Sequence, residues 1–220
     1  GNPKGVMVTH NGIMKDALSV DSLLPLNQEH NALSFLPLCH VFERSLAIIY
    51  IMKGVSIYYA ESMETIGDNL KEVKPHMFVT VPRLLEKVYD KIYAKGLDLT
   101  GIKRALFFWA LKLGQRFEIG KEMNGWYNFQ LKIANKLIFS KWREALGANV
   151  KLIVTGGAAM QPRLLKVFNA AQIMVREGYG LTEAPIVACN RPKEREGVQI
   201  GTVGPLMECG EVKRAEGGEM

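Results

Sequence analysis

Short apolar runs, each followed by a helical pattern, constrain this chain more than any other feature. Residues 33–36 read as a strand that stops at Pro37, and residues 41–52 as a helix closed by Gly54. β-rich runs follow at 55–59 and 77–81, with an amphipathic stretch between them marked by Ile66, Leu70 and Val73. Pro82 takes a favoured first helical position, with Leu84, Leu85, Val88 and Ile92 at helical spacing and Gly96 as the expected stop. The rhythm resumes with a strand at 150–154, a helix from Pro162 and a strand at 173–175. This alternation predicts an α/β fold with a mainly parallel sheet flanked by helices.

The middle of the chain departs from that rhythm. Ile102, Leu106, Trp109, Leu113 and Phe117 mark one helix, and Phe129, Ile133 and Leu137 mark another that runs on to Trp142. Gly120 and Gly125 bracket the break between them, and no strand signal intervenes, so residues 96–147 read as a helical insertion on the scaffold. The net charge is +6, and its excess lies here. Residues 83–151 hold 14 Lys and Arg against 6 Asp and Glu, while the rest hold 14 against 16. Lys103, Arg104, Lys112, Arg116, Lys132, Lys136, Lys141 and Arg143 sit among Phe107, Phe108, Trp109, Phe129 and Trp142. Two readings stay open: a peripheral contact with an anionic membrane, or aromatics in the core with cations facing solvent. No nucleic-acid-binding signature accompanies the basic segment, so no nucleic-acid partner is expected.

Composition excludes several classes. With 48% hydrophobic residues in 220, a sizeable core can form, and no apolar run approaches the roughly 18–20 residues of a membrane-spanning helix. Cys39, Cys189 and Cys209 are odd in number and far apart, which suits neither a disulfide framework nor a CxxC metal site; a cytoplasmic setting is the expectation. His10, His30 and His76 lack metal-ligand spacing, and GxSxG is absent. A glycine–lysine loop with no strand before it and a closing turn at 216–220 make the chain read as an internal piece of a longer protein.

Four constellations bear on chemistry. Gly1-Asn2-Pro3-Lys4-Gly5, followed by Thr9 and His10, combines backbone N–H groups free to approach phosphate with a mobile cation. Its spacing is not that of a Walker loop, and in isolation it reads as a surface turn. Thr155-Gly156-Gly157-Ala158 follows a strand, where glycine lets a planar ring lie against the backbone; alone it is equally an ordinary strand-to-helix turn. Gly178-Tyr179-Gly180-Leu181-Thr182-Glu183 offers a ring for stacking, a hydroxyl for a phosphate and a carboxylate for Mg²⁺. Leu36-Pro37-Leu38-Cys39-His40-Val41-Phe42-Glu43-Arg44 puts His40 between a strand and a helix, where it is either functional or a capping histidine.

Taken in order, these segments resemble the adenylate-forming enzymes, the AMP-binding superfamily of acyl-CoA synthetases, luciferases and peptide-synthetase adenylation domains. Residues 1–10 look like the second half of that family's phosphate loop, and Val203-Gly204-Pro205-Leu206 resembles the segment after its nucleotide motif. His40-Val41-Phe42-Glu43-Arg44 and the end of the insertion, from Lys136 to Gly147, resemble the long-chain fatty acid–CoA ligases.

The resemblance implies a fold, that of the large N-terminal domain of such an enzyme, with residues 1–220 as its central part. The part before it and the carboxy-terminal lid domain, with its lysine, would be absent, so the chain alone is expected not to turn over. It also implies a reaction, in which ATP and a fatty acid give an acyl-adenylate and pyrophosphate, and coenzyme A then displaces AMP. Lys4 with Gly1 and Gly5 would handle the outer phosphates, Thr182 the α-phosphate and Glu183 the Mg²⁺. Gly156, Gly157, Ala158, Gly178, Tyr179 and Gly180 would hold the adenine, and His40 would lie near the reacting carboxylate. The acyl chain would run beside residues 77–81 and the helix after Pro82. The alternatives are an adenylating ligase for a medium-chain or aryl acid, transfer to an acyl-carrier protein, or a noncatalytic membrane-binding or scaffold module.

Overall fold

A computed structural model of the chain describes residues 5–21, 23–191, 198–208, 210–213 and 216. Its elements are α1 (His10–Asp21), β1 (Asn31–Ser34), α2 (Val41–Met52), β2 (Ser56–Tyr59), α3 (Ile66–Val73) and β3 (Met77–Thr80). Next come α4 (Pro82–Leu97), α5 (Gly101–Gln115), α6 (Gly125–Ala134), a π-helical turn (Asn135–Phe139) and α7 (Ser140–Ala145). The last are β4 (Leu152–Thr155), α8 (Pro162–Ala170), β5 (Val175–Tyr179) and β6 (Ala188–Cys189).

The strands form one sheet in the order β2-β1-β3-β4-β5-β6, parallel except for β6, which runs antiparallel to β5. Side chains on successive strand residues point to opposite faces, and the core divides accordingly. Phe78 and Ile153 join a cluster with residues of α3 to α8, while Met77, Val79, Leu152 and Val154 join one with α1 and α2. Helices therefore cover both faces, as a parallel sheet with near-continuous apolar strands requires. The predicted α/β class is the observed one.

Three expectations change. The strand expected at 173–175 instead runs from Val175 to Tyr179, so Gly178 and Tyr179 belong to the strand and not to the loop after it. The reason is a hairpin partner the sequence hid: Gly178 pairs with Cys189 and Tyr179 with Ala188. α1 was not anticipated; Thr9, read as part of a phosphate loop, accepts the Gly12 N–H at 3.0 Å on its hydroxyl and caps this helix. Gly96 does not end α4, which continues to Leu97. A Cβ at Gly96 would overlap the Phe107 ring, so this glycine lets α4 and α5 pack closely.

Between β3 and β4, which pair directly, the described chain is helical from α4 to α7. Its buried stripe is rotated from the expected one. α5 buries Phe107, Ala110, Leu111, Leu113 and Gly114, leaving Ile102 exposed. α6 and the π turn bury Tyr127, Ala134, Asn135 and Phe139, leaving Phe129 and Leu137 exposed. Polar bonds lock the turn in place: Asn135 Nδ2 donates to the Ala170 carbonyl at 2.9 Å, and Arg143 donates to Asn135 Oδ1 and the Ala171 carbonyl, each at 2.7 Å. Phe107 and Trp142, two of the aromatics considered for a membrane contact, are core residues.

Alanine is the better helix former, yet Gly96→Ala is expected to destabilise the protein by about 1–3 kcal/mol through overpacking against Phe107. Chemical denaturation of Gly96→Ala, Phe107→Ala and the double variant measures the coupling. The double variant should lose less than the sum of the two single losses.

Candidate functional site

The parallel register brings the carboxyl ends of β1, β3, β4 and β5 to one rim of the sheet, where open α/β sheets bind ligands. A cavity of about 420 Å³ opens there. His40, Gly156, Gly157, Gly178, Tyr179, Gly180 and Thr182 all line it, so segments far apart in sequence meet in one place. Ala158 and Glu183 are exposed close by along the chain, outside the lining. Gly5 is described, exposed and also outside the lining; Gly1 and Lys4 lie outside the described residues.

Backbone geometry explains the glycines. A Cβ on Gly156 would stand 3.2 Å from the Gly178 carbonyl and 3.4 Å from Phe42 Cζ, so this position closes the floor tightly. Gly157 has φ +79° and open space around it, which glycine adopts without strain. The turn after β5 is held by the Leu181 N–H donating to the Ala184 carbonyl at 2.8 Å, and a Cβ on Gly180 would overlap the Pro185 carbonyl. Thr182 and Glu183 are exposed in this turn. Residues 203–207 flank β6: the Cys189 N–H donates to the Pro205 carbonyl at 3.2 Å, and the Met207 N–H to the Val187 carbonyl at 2.9 Å.

The rest of the wall is apolar, and it comes from an unexpected side. Val20 and Leu24, Leu36, Val41 and Leu46, and Ile186 supply it, from the α1–α2 face and the approach to β6. Met77, Phe78 and Val79 are closed in the core, and of residues 77–81 only Val81 reaches the cavity. The acyl path expected beside residues 77–81 is therefore not the open one.

The lining includes no lysine or arginine among the described residues; its titratable groups are His40, Glu43, Tyr179 and Cys189. Two buried carboxyls beside the rim went unrecognised in the sequence. Glu177 accepts the Met160 N–H on Oε1 at 3.0 Å, and burial raises its pKa despite that bond. Glu43 accepts from Ser34 Oγ on Oε1 at 2.5 Å, and burial pushes its carboxyl up to about 7. Only their places beside glycine or histidine motifs could have flagged them. Burial likewise pushes the Cys189 thiol up to about 11. Among the described residues, no cluster of three or more His, Cys, Asp or Glu could enclose a metal, and the exposed Glu183 belongs to none.

A family model described as "AMP-binding enzyme" matches residues 1–219. Long-chain-fatty-acid–CoA ligase 6 of Mus musculus is 32% identical over 226 residues, covering 100% of this chain and 31% of that protein. Long chain acyl-CoA synthetase 8 of Arabidopsis thaliana is 30% identical over 226 residues, covering 97% of this chain and 31% of that protein. The chain thus spans about a third of the length of these relatives. Among solved structures, o-succinylbenzoate CoA synthetase from Bacillus subtilis, in complex with its acyl-adenylate intermediate, superimposes with a TM-score of 0.65 at 17% identity. That match covers 100% of this chain and 35% of the other.

The burial of Cys189 has a chemical readout. Under native conditions at pH 7.5, maleimide should label the exposed Cys39 at least about tenfold faster than Cys189, because the half-buried thiol, its pKa pushed up, holds little thiolate. Peptide mapping by mass spectrometry separates the sites, and unfolding should abolish the difference.

Proposed function

Because the chain belongs to the AMP-binding enzyme family, we propose that it forms the nucleotide- and acyl-binding part of a long-chain fatty acid–CoA ligase. The observation that carries the reading is the single cavity in which the glycine–tyrosine–threonine segment faces His40 and an apolar wall. The similarity to the mouse and Arabidopsis relatives supports the long-chain substrate class. On this reading residues 1–220 are the central part of the AMP-binding domain, and 96–147 is an insertion peculiar to the long-chain branch.

The chemistry has two steps. A fatty carboxylate oxygen attacks the α-phosphorus of ATP, and the bond to the β,γ-phosphates breaks, releasing pyrophosphate. The thiolate sulfur of coenzyme A then attacks the acyl carbonyl, and AMP leaves with the electron pair of the broken mixed-anhydride bond. Gly156, Gly157 and Ala158 accept the adenine on one side, with Gly178, Tyr179 and Gly180 on the other. Thr182 donates to the α-phosphate. Lys4 and the Gly1 and Gly5 backbone meet the outer phosphates. His40 stands at the reacting carboxylate, and the acyl chain lies against Val20, Leu24, Val41 and Leu46. At roughly 0.8 kcal/mol per buried CH₂, such a wall supplies much of the binding energy.

Glu183 suits magnesium in the mode where one carboxylate is joined by substrate phosphates and water. The metal, held with the nucleotide, would neutralise phosphate charge. The wall described here contributes no lysine or arginine to that task.

Binding decides the assignment. Calorimetry with magnesium and a nonhydrolysable palmitoyl-adenylate mimic should show binding that Thr182→Ala plus Glu183→Ala weakens by about 10- to 100-fold, the loss of one charge-assisted hydrogen bond and of the magnesium carboxylate. An unchanged affinity in a folded double variant overturns the site assignment. A benzoyl- or octanoyl-adenylate mimic that binds more tightly than the palmitoyl one overturns the long-chain substrate.

The same reading includes a membrane contact, on a narrower set that keeps Phe129, Lys132 and Lys136 of the residues first considered and adds Trp126 and Leu137. Trp126, Phe129 and Leu137 are 67%, 54% and 46% exposed along the side of α6 and the π turn opposite the buried one. Lys132 and Lys136 are exposed beside them, and residues 123–143 contain no Asp or Glu. An apolar strip edged by cations and free of acids complements an anionic lipid interface. Vesicles with phosphatidylserine should sediment the protein, and Trp126→Ser with Phe129→Ser should abolish this. Equal binding of the variant, or equal binding to purely zwitterionic vesicles, overturns the contact.

A further inference from the structure

Glu43 occupies the third position of α2, counted from the N-cap His40. A glutamate there ordinarily reaches back to the N-cap N–H in a capping box. Here it does not. The His40 N–H donates to the Pro37 carbonyl at 2.9 Å, and the His40 side chain makes no capping bond. The Glu43 side chain turns inward instead, to Ser34 Oγ at the end of β1, and is 1% exposed. Oε2 is buried with no partner. A buried carboxyl with one unspent oxygen, at the wall of the cavity, is costly for a fold to keep.

We propose that Glu43 is a positioning residue: buried and bound to Ser34, it locks the first turn of α2 to the end of β1 and so holds His40 and Phe42 at the cavity. The backbone bond from the Arg44 N–H to the His40 carbonyl, 3.1 Å, joins the lock to the N-cap. Phe42, one residue before Glu43, lies 3.4 Å from where a Gly156 Cβ would stand, so the turn also sets the floor.

The surroundings fix how the lock responds to protons. Burial favours the neutral acid, and the Ser34 hydrogen bond pulls the other way, toward the carboxylate. On α2 itself Tyr50 is the titratable group that feels the Glu43 charge, and its hydroxyl is buried without a partner. Arg44 is exposed, and Lys53 is taken by Asp21 of α1 at 3.0 Å. Neither of these cations, nor any described charged group of β1, appears among the influences on Glu43. Ionisation thus leaves a buried charge met by one hydrogen bond, from Ser34, and the cost of burial outweighs that bond.

The sign follows. With the folded pKa at about 7, above the ordinary carboxylate range, the stability that goes with the neutral, buried Glu43 carboxyl is fully present in acid and is lost as pH rises through 7. If ligand binding requires the neutral form, affinity falls about tenfold per pH unit above the midpoint.

Two measurements test this. In two-dimensional amide NMR between pH 5.5 and 8.5, the His40, Val41, Phe42 and Arg44 amides of the native chain should titrate with a midpoint near 7. Glu43→Gln should lack that step. Ser34→Ala should move the midpoint up, because it removes the bond that favours the carboxylate. Identical titrations in native and Glu43→Gln proteins, or a midpoint lowered by Ser34→Ala, overturn the proposal. If Glu43→Gln does not fold, the direction of the Ser34→Ala shift decides.

The role bears on the acyl-adenylate reading above, and the second measurement separates the two. The palmitoyl-adenylate mimic should lose affinity above pH 7 with native protein and not with Glu43→Gln. Parallel losses in both overturn the positioning role. Absent binding at every pH, with the amides titrating as stated, overturns the acyl-adenylate reading and leaves the Ser34–Glu43 lock standing.

Discussion

Parallel register is the constraint on which everything else depends. Thr80 pairs with Thr155, and Thr155 with Glu177, so β3 and β4 end level at one rim and β5 runs two residues beyond them. Each strand is only four or five residues long. A slip by one residue would turn Phe78 and Ile153 toward the α1–α2 face and carry the loops beyond out of line. The register is pinned because both faces are buried, each against its own helical cluster. The cavity is the consequence: glycines after β4, a threonine turn after β5 and His40 after β1 meet because their strands run in parallel to the same rim.

Around that rim the polar groups are few and strongly conditioned by burial. Glu43 and Glu177 both resist ionisation, for the same reason, and each accepts one hydrogen bond that opposes the effect. Such an arrangement makes charge expensive except where the exposed turn with Thr182 and Glu183 meets solvent. The chemistry proposed here has that division: an apolar acyl chain on one side, a charged nucleotide on the other.

Much of this was legible in the sequence, and the gaps have physical causes. α2, β2 and β3 fell within a residue or two of expectation because Pro37, Gly54 and Pro82 punctuate them. β5 was cut short because Glu177, Gly178 and Tyr179 lack the apolar signature of a strand; pairing with β6, across a turn invisible to periodicity, is what extends it. Gly96 looked like a stop since sequence cannot distinguish a helix end from a close approach to Phe107. The stripe on α6 misled most. Trp126, Phe129, Ile133 and Leu137 repeat as regularly as Tyr127, Leu131, Ala134 and Ile138, and a helix apolar on two sides does not announce which side is inward. Of the site, the glycine and tyrosine motifs could be read, whereas the buried pair of Ser34 and Glu43 required the meeting of β1 with α2.

The adjacency of β3 and β4 also has a consequence in time. These neighbours form the middle of the sheet, yet all of α4 to α7 lies between them in the chain. Closing that long excursion costs chain entropy before any ladder bond repays it. The helical block, rich in local contacts, can form on its own timescale, and it brings β3 and β4 into register only as it compacts. The centre of the sheet is thus a late event in folding. Until then the two halves of the rim, one bearing His40 and the other the glycine and threonine turns, remain strangers to each other.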